Sequence, residues 1–149
     1  MQRIAVYGLG SMGYGMAQSL LRAGHTVFGF DVVAEQEARF RAEGGAEGSL
    51  ETIAADLDAV VIVVLNAAQT RDVLFGEAGV APLLRSGAAI ISCATVPPEF
   101  AREMAAAWGE RQLHFLDAPS SGGSVTAADG RLSILAAGSG AAFEAAGPV

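Results

Sequence analysis

Residues 3–31 read RIAVYGLGSMGYGMAQSLLRAGHTVFGFD, and the order of elements in this stretch decides the fold. Arg3 to Tyr7 is an apolar run of strand length, and glycines follow it at once. From Ser11 to Ala23 the apolar residues Met12, Met16, Leu20 and Ala23 recur three to four apart, which predicts one face of a helix. Gly24 stands where a helix commonly ends in a left-handed conformation. Thr26 to Phe30 is β-branched and aromatic, a second strand closed by Asp31. Between the first strand and the helix lies Gly8-Leu9-Gly10-Ser11-Met12-Gly13, the pattern G-x-G-x-x-G. Gly8 permits a tight turn, Gly10 lets the backbone approach a diphosphate, and Gly13 lets the helix pack close to the strand. Free N–H groups and the dipole at the helix start favour an anion there. Asp31 follows Gly13 by eighteen residues, close to the ~20 expected of an acid that accepts hydrogen bonds from an adenosine ribose. A carboxylate at that point repels a 2′-phosphate, so the predicted cofactor is NAD rather than NADP. A glycine turn beside a surface aspartate needs no ligand, but the sequence strand, turn, helix, strand, acid argues against that plainer reading.

The alternation continues outward from this stretch. Ala34 to Glu43 has helical spacing and is closed by Gly44-Gly45. A third strand is expected around Ala46 and Glu47, with a short helix from Leu50 to Ala55 behind it. Ala59 to Leu65 (AVVIVVL) is the clearest strand, and its unbroken apolar run predicts burial on both faces, as in a parallel sheet. Thr70 to Phe75 reads as helix and Ala88 to Ser92 as strand. Pro97-Pro98 suits the start of a helix running through Trp108. His114 to Leu116 and Leu132 to Ala136 read as late strands around a glycine-rich loop, and no closing element is expected from Gly138 to Val149. Strands alternating with helices predict an α/β fold, a doubly wound, mostly parallel sheet with helices on both faces.

The chain has 149 residues, a net charge of −7 and 52% hydrophobic residues, which excludes a disordered chain. Its nine basic residues are all arginine, and there is no lysine. A net acidic chain lacks the basic face that a nucleic-acid backbone demands, so no nucleic-acid partner is expected. No apolar run approaches the ~20 residues of a membrane helix, and no signal-peptide pattern opens the chain. A cytoplasmic protein without a membrane partner is expected. Cys93 is the single cysteine. It follows a buried strand without a neighbouring histidine, and is read as packed rather than nucleophilic. His25 and His114 have no partners at metal-ligand spacing, so no metal site is expected. Asp56 and Asp58 read as loop solvation, Glu99, Arg102 and Glu103 as a solvated helix face, and Trp108 as a core anchor.

With Gly8 to Gly13 followed by Met16-Ala17, Leu20 and Gly24-His25-Thr26-Val27, the chain resembles the NAD-binding, Rossmann-type domain of the β-hydroxyacid dehydrogenase family. A second block, Asp117-Ala118-Pro119-Ser120-Ser121-Gly122-Gly123, resembles the family's substrate motif D-A-P-V-S-G-G, with Ser120 in place of valine. The resemblance implies cofactor contacts at Gly8, Leu9, Gly10, Ser11, Met12, Gly13, Asp31, Leu65, Asn66 and Thr95. It implies a grip on a substrate carboxylate by Ser121, Gly122 and Gly123. The family's catalytic lysine lies in a second, helical domain and has no counterpart here, so no catalytic residue is expected in this chain. Residues 1–149 are therefore expected to be the cofactor domain of a longer, homo-oligomeric enzyme, inactive alone and prone to self-association. Val64 to Thr70, with Asn66 in place of the proline usual in the 3-hydroxyisobutyrate branch, is most similar to the L-threonate branch. Asn66 is read equally as a polar group at the cleft mouth and as a helix cap. A free-standing NAD-sensing module and the cofactor domain of an imine-reducing relative are the alternatives.

Overall fold

The computed structural model describes every residue except Glu110. Five strands form one sheet: β1 (Arg3–Tyr7), β2 (Thr26–Phe30), β3 (Ala59–Ile62), β4 (Ala89–Ser92) and β5 (His114–Asp117). Their order is β2-β1-β3-β4-β5, and every pairing is parallel. The helices of this unit are α1 (Ser11–Arg22), α2 (Ala34–Ala42), α3 (Leu50–Ile53), α4 (Ala67–Phe75) and α5 (Pro98–Gly109). Chain order moves from β1 outward to β2 and then crosses back to β3. The strand order therefore reverses between β1 and β3, and a crevice opens outside their carboxyl ends.

Why β3 is apolar throughout, and β4 up to Ser92, is visible in their burial, since every residue of both is buried. Alternate side chains feed two cores. One holds Ile4, Val6, Val61 and Ile91 against Tyr14 and Ala17 of α1 and Phe40 of α2. The other holds Ala5, Val60, Ile90 and Phe115 against Ile53, Leu74, Met104 and Trp108. Trp108 is fully buried and stacks on Phe75 with ring centroids 4.7 Å apart, the core anchor expected from sequence. The last register row runs Phe30, Tyr7, Ile62, Ser92, Asp117 across the whole sheet, so these five share the α4–α5 face.

Several sequence expectations are corrected. There is no strand at Ala46–Glu47. The Ala46 N–H makes one bond to the Val27 carbonyl (2.8 Å), and Gly45 and Gly48 thread past Phe40 and Ile53 with no room for a side chain. β3 ends at Ile62 rather than Leu65, and α4 begins at Ala67 rather than Thr70. The glycine-rich region is not an open loop. It holds β6 (Ser120–Ser121), α6 (Gly123–Ala128) and β7 (Ser133–Ile134), the last much shorter than the expected Leu132–Ala136 strand. A closing element does exist: α7 (Gly140–Ala146), capped by the Ser139 hydroxyl, which accepts from the Ala142 N–H (3.1 Å), buries Ala142 and Ala146 on the α1 face. Asp58 is a brace rather than loop solvation, accepting from the Arg3 N–H (2.7 Å) and pairing with Arg85. Glu103 is not merely solvated: it takes both Arg71 terminal nitrogens at 3.0–3.1 Å and ties α5 to α4.

Candidate functional site

The glycine loop leaves β1 at the strand-order reversal. Gly8 has φ +94°, and a Cβ there would overlap the Val63 carbonyl oxygen at the exit of β3. A Cβ on Gly13 would overlap the Gly8 carbonyl oxygen, so the first turn of α1 lies directly on the turn that precedes it. Gly10 is different: nothing lies within 4 Å of the place a Cβ would occupy. Gly10 is the N-cap of α1, no side chain caps the helix, and its first turn has no acid. The first backbone bond there runs from the Tyr14 N–H to the Gly10 carbonyl (2.9 Å). Among the described residues, the N–H groups of Ser11, Met12 and Gly13 have no protein acceptor. A helix start with open space and free donors suits an anion.

Asp31 stands at the end of β2 and touches this loop. Its Oδ2 accepts from the Leu9 N–H (2.6 Å) and its Oδ1 from the Val33 N–H (2.8 Å). The carboxylate thus holds the loop in place, and each oxygen keeps a further lone pair for a ribose hydroxyl. Glu37 was not singled out from sequence. Its Oε1 accepts the Asp31 N–H (2.9 Å), placing a second carboxylate against the Asp31 backbone. The only sequence signal for it was an acid in the first turn of the helix after Asp31.

Beyond β3, Leu65 and Asn66 lead into α4. Asn66 is its N-cap, with Oδ1 accepting the Gln69 N–H (2.9 Å), while the Gln69 side chain accepts the Leu65 N–H (2.8 Å). The capping reading of Asn66 is thereby shown: one lone pair of its Oδ1 is taken by the Gln69 N–H, and the second, with its side-chain amide N–H groups, stays open. Asn66→Ala is expected to cost about 1 kcal/mol, read as a lower midpoint in denaturant. Thr95 is exposed in the turn between β4 and α5. Past β5, residues 117–121 pair antiparallel with residues 133–137. Ser121, Gly122 and Gly123 are exposed at the corner of this hairpin, with φ of +137° at Gly122 and +80° at Gly123. α6 begins there and packs backbone to backbone on α1, since a Cβ on Gly15 would lie 2.7 Å from the Ala128 nitrogen. The helix that starts at the glycine loop therefore also fixes the Ser121–Gly123 corner. Gly15 was legible only as one more glycine.

In sheet order, Asp31, the glycine loop, Leu65-Asn66, Thr95 and Ser121–Gly123 follow β2, β1, β3, β4 and β5 along one carboxyl edge. Four strand spacings make that edge about 19 Å long, the reach of an extended dinucleotide plus a small acid. A polar recess of about 230 Å³ adjoins the loop, lined by Gly10, Ser11, Gln36, Arg39 and Ser124. A second, apolar groove of about 260 Å³ lies on the α1 face, lined by Leu20, Ile91, Cys93, Leu132 and Val149 among others. Burial, and then the charge of Asp117, pushes the Cys93 thiol up to about 12, which fits its reading as a packed residue. Burial likewise raises the Asp117 carboxyl, whose Oδ1 has no hydrogen-bond partner. Among the described residues, no group of three potential metal ligands exists, and no helix is long and apolar enough to cross a membrane.

Known proteins share this arrangement. The family model for the NAD-binding domain of 6-phosphogluconate dehydrogenase matches residues 3–149. The chain is 43% identical over 148 residues to L-threonate dehydrogenase of Escherichia coli K12, a match covering 98% of this chain and 49% of that protein. It is 37% identical over 150 residues to NAD-dependent L-serine dehydrogenase of Pseudomonas aeruginosa, covering 100% of this chain and 50% of that one. The solved structure of 3-hydroxyisobutyrate dehydrogenase from Salmonella typhimurium superposes with a TM-score of 0.92 at 45% identity, over 99% of this chain and 52% of that one. The chain spans about half the length of the curated relatives it matches. A sheet that reverses at β1 and β3, a glycine loop opening α1 and an acid at the end of β2 go with a match over nearly the whole chain: it belongs to the family of NAD-binding domains typified by 6-phosphogluconate dehydrogenase.

Proposed function

We propose that residues 1–149 form the cofactor domain of a longer, homo-oligomeric enzyme that oxidises a small β-hydroxy acid, of the L-threonate branch. The observation that carries the cofactor half is the uncapped start of α1, with open space at Gly10 and Asp31 beside it. In this reading the N–H groups of Ser11, Met12 and Gly13 hold the diphosphate, and Asp31 accepts from the adenosine ribose. Val32, fully exposed, and Leu65, 83% exposed, flank the loop as bare apolar surface suited to the faces of an adenine ring. Bound nicotinamide would supply the hydride acceptor. Asn66 and Thr95 would border it, and the Ser121 hydroxyl with the N–H groups of Gly122 and Gly123 would hold the acid's carboxylate at the far end of the edge. The branch assignment is supported by the identity to the L-threonate enzyme of Escherichia coli.

Calorimetry on the purified chain tests the reading. NAD is expected to bind more tightly than NADP, because a 2′-phosphate would meet the Asp31 carboxylate. Asp31→Asn keeps one acceptor for the Leu9–Val33 turn and removes the charge, so the gap should narrow mainly through tighter NADP binding. Equal or tighter binding of NADP by the native chain would overturn the Asp31 assignment.

A further inference from the structure

We infer that Glu37 is a second determinant of cofactor choice, acting beside Asp31 against a 2′-phosphate; this rests on the dinucleotide reading above. By spacing alone Asp31, eighteen residues past the glycine loop, is the acid expected at the ribose. The structure puts two carboxylates there. Glu37 Oε1 accepts the N–H of Asp31 itself at 2.9 Å, so its charge is anchored to the backbone of the residue that would meet the ribose. Its side chain is only 25% exposed, which limits the screening of its charge by water. That charge is felt at this end of the sheet. Burial is the main cause of the raised Tyr7 phenol, and the charges of Glu51 and Glu37 add to it.

The surrounding cations do not cancel the pair. Arg41 lies 3.6 Å from Glu37 Oε2, one turn along α2, and is the partner that moderates it. Arg39 lines the recess beside the loop, but its guanidinium lies over the Tyr14 ring, 4.5 Å from the centroid, and is paired with Glu43 at 3.1 Å. Glu43 in turn accepts from Tyr14 Oη (2.8 Å), and that bond first, then Arg39, holds its carboxyl below the usual range. Arg39 is thus engaged by Glu43 at the end of α2 and by the Tyr14 ring of α1, and Asp31 and Glu37 are the carboxylates at the end of β2. A 2′-phosphate carries close to two negative charges near neutral pH and meets both of them.

The test measures binding of 5′-AMP, 2′,5′-ADP, NAD and NADP by calorimetry. Glu37→Gln keeps the acceptor for the Asp31 N–H and removes only the charge. It should reduce the NAD-over-NADP ratio about fivefold, the order expected of one partly screened charge, with NAD binding and Tm unchanged. Asp31→Asn alone should retain a residual preference that the double variant loses. Arg41→Gln unmasks Glu37 and should move the ratio the opposite way, toward stronger NAD preference, which a merely structural role would not do. An unchanged ratio in both Glu37→Gln and Arg41→Gln, with NAD still bound, would overturn the inference while leaving the cofactor reading intact. Failure of the native chain to bind NAD or 5′-AMP would overturn both.

Discussion

Gly13→Ala is expected to abolish detectable NAD binding and to lower the unfolding free energy by about 3 kcal/mol, the upper end of the range for overpacking. The added methyl would overlap the Gly8 carbonyl oxygen and lie 3.2 Å from the Val63 Cβ, both parts of the chain that cannot swing aside. Relief requires α1 to lift from β1. That moves the N–H groups of Ser11 and Met12 and strains the contact of Asp31 with Leu9. It also disturbs α6, which packs on Gly15 two residues further along. Gly10→Ala separates stability from binding. Its methyl enters empty space and φ −72° suits any residue, so the entropy gained by losing a glycine offsets the poorer fit of alanine at an N-cap, and stability should change little. The same methyl would occupy the space proposed for the diphosphate, and NAD affinity should fall at least tenfold. Thermal denaturation and calorimetry on both variants give the answer. A Gly10→Ala protein that binds NAD as the native chain does would refute the placement of the diphosphate.

The parts of this fold that were legible in sequence are those where one physical demand acts alone. β3 and β4 are buried on both faces, so β3 and all of β4 but Ser92 are apolar and both strands could be located, though β3 ends three residues before its apolar run does. The glycine loop was legible because Gly8 and Gly13 answer steric demands that no other residue satisfies. Ala46–Glu47 misled for the opposite reason. The segment is extended and makes one bond toward β2, yet the glycines around it serve the packing of Phe40 and Ile53 rather than a ladder. α6 and α7 were hidden because short helices rich in Ala and Gly carry little periodic signal; they are specified by what they pack against. At the site, glycines are named by pattern, so the turn at Gly8 to Gly13 and the positive-φ corner at Gly122 and Gly123 could be located from sequence. Glu37 could not. Its role depends on a bond to the Asp31 backbone across the β2–α2 turn, and spacing along the sequence does not show that bond.

The purified 149-residue chain is expected to oxidise no hydroxy acid, while still binding NAD. Removing a hydride from a carbinol carbon requires a group that accepts the hydroxyl proton, and a positioned base of this kind contributes roughly 10²–10⁴-fold. The chain has no lysine, and its two histidines stand at the wrong end of the sheet. His25 immediately precedes β2, and its Nδ1 accepts from the Gln2 N–H (3.1 Å). His114 is the first residue of β5. At 3.3 Å per residue, each is a strand's length, about 10–16 Å, from the carboxyl edge. Asp31 and Glu37 stand at the β2 end of that edge, bound to the backbone of the glycine loop and of Asp31, and Cys93, Tyr7 and Asp117 lie near the rest of it. Cys93 is buried with its thiol raised to about 12, so almost no thiolate forms near neutral pH. The Tyr7 phenol is buried and held well above its ordinary value. Asp117 shares its register row with Ser92 and Tyr7, on the α4–α5 face of the sheet. The Ser121–Gly123 corner is carried instead by α6 on α1, across the sheet. NADH absorbance recorded with L-threonate and with 3-hydroxyisobutyrate, from neutral to mildly alkaline pH, should therefore stay flat. A steady rate from the pure chain would refute the argument, and its loss in Asp117→Asn would identify the base. The N–H groups proposed to hold the diphosphate and the carboxylate stand at the starts of α1 and α6, and those two helices pack on each other at Gly15, so a base supplied from a second domain would complete the site.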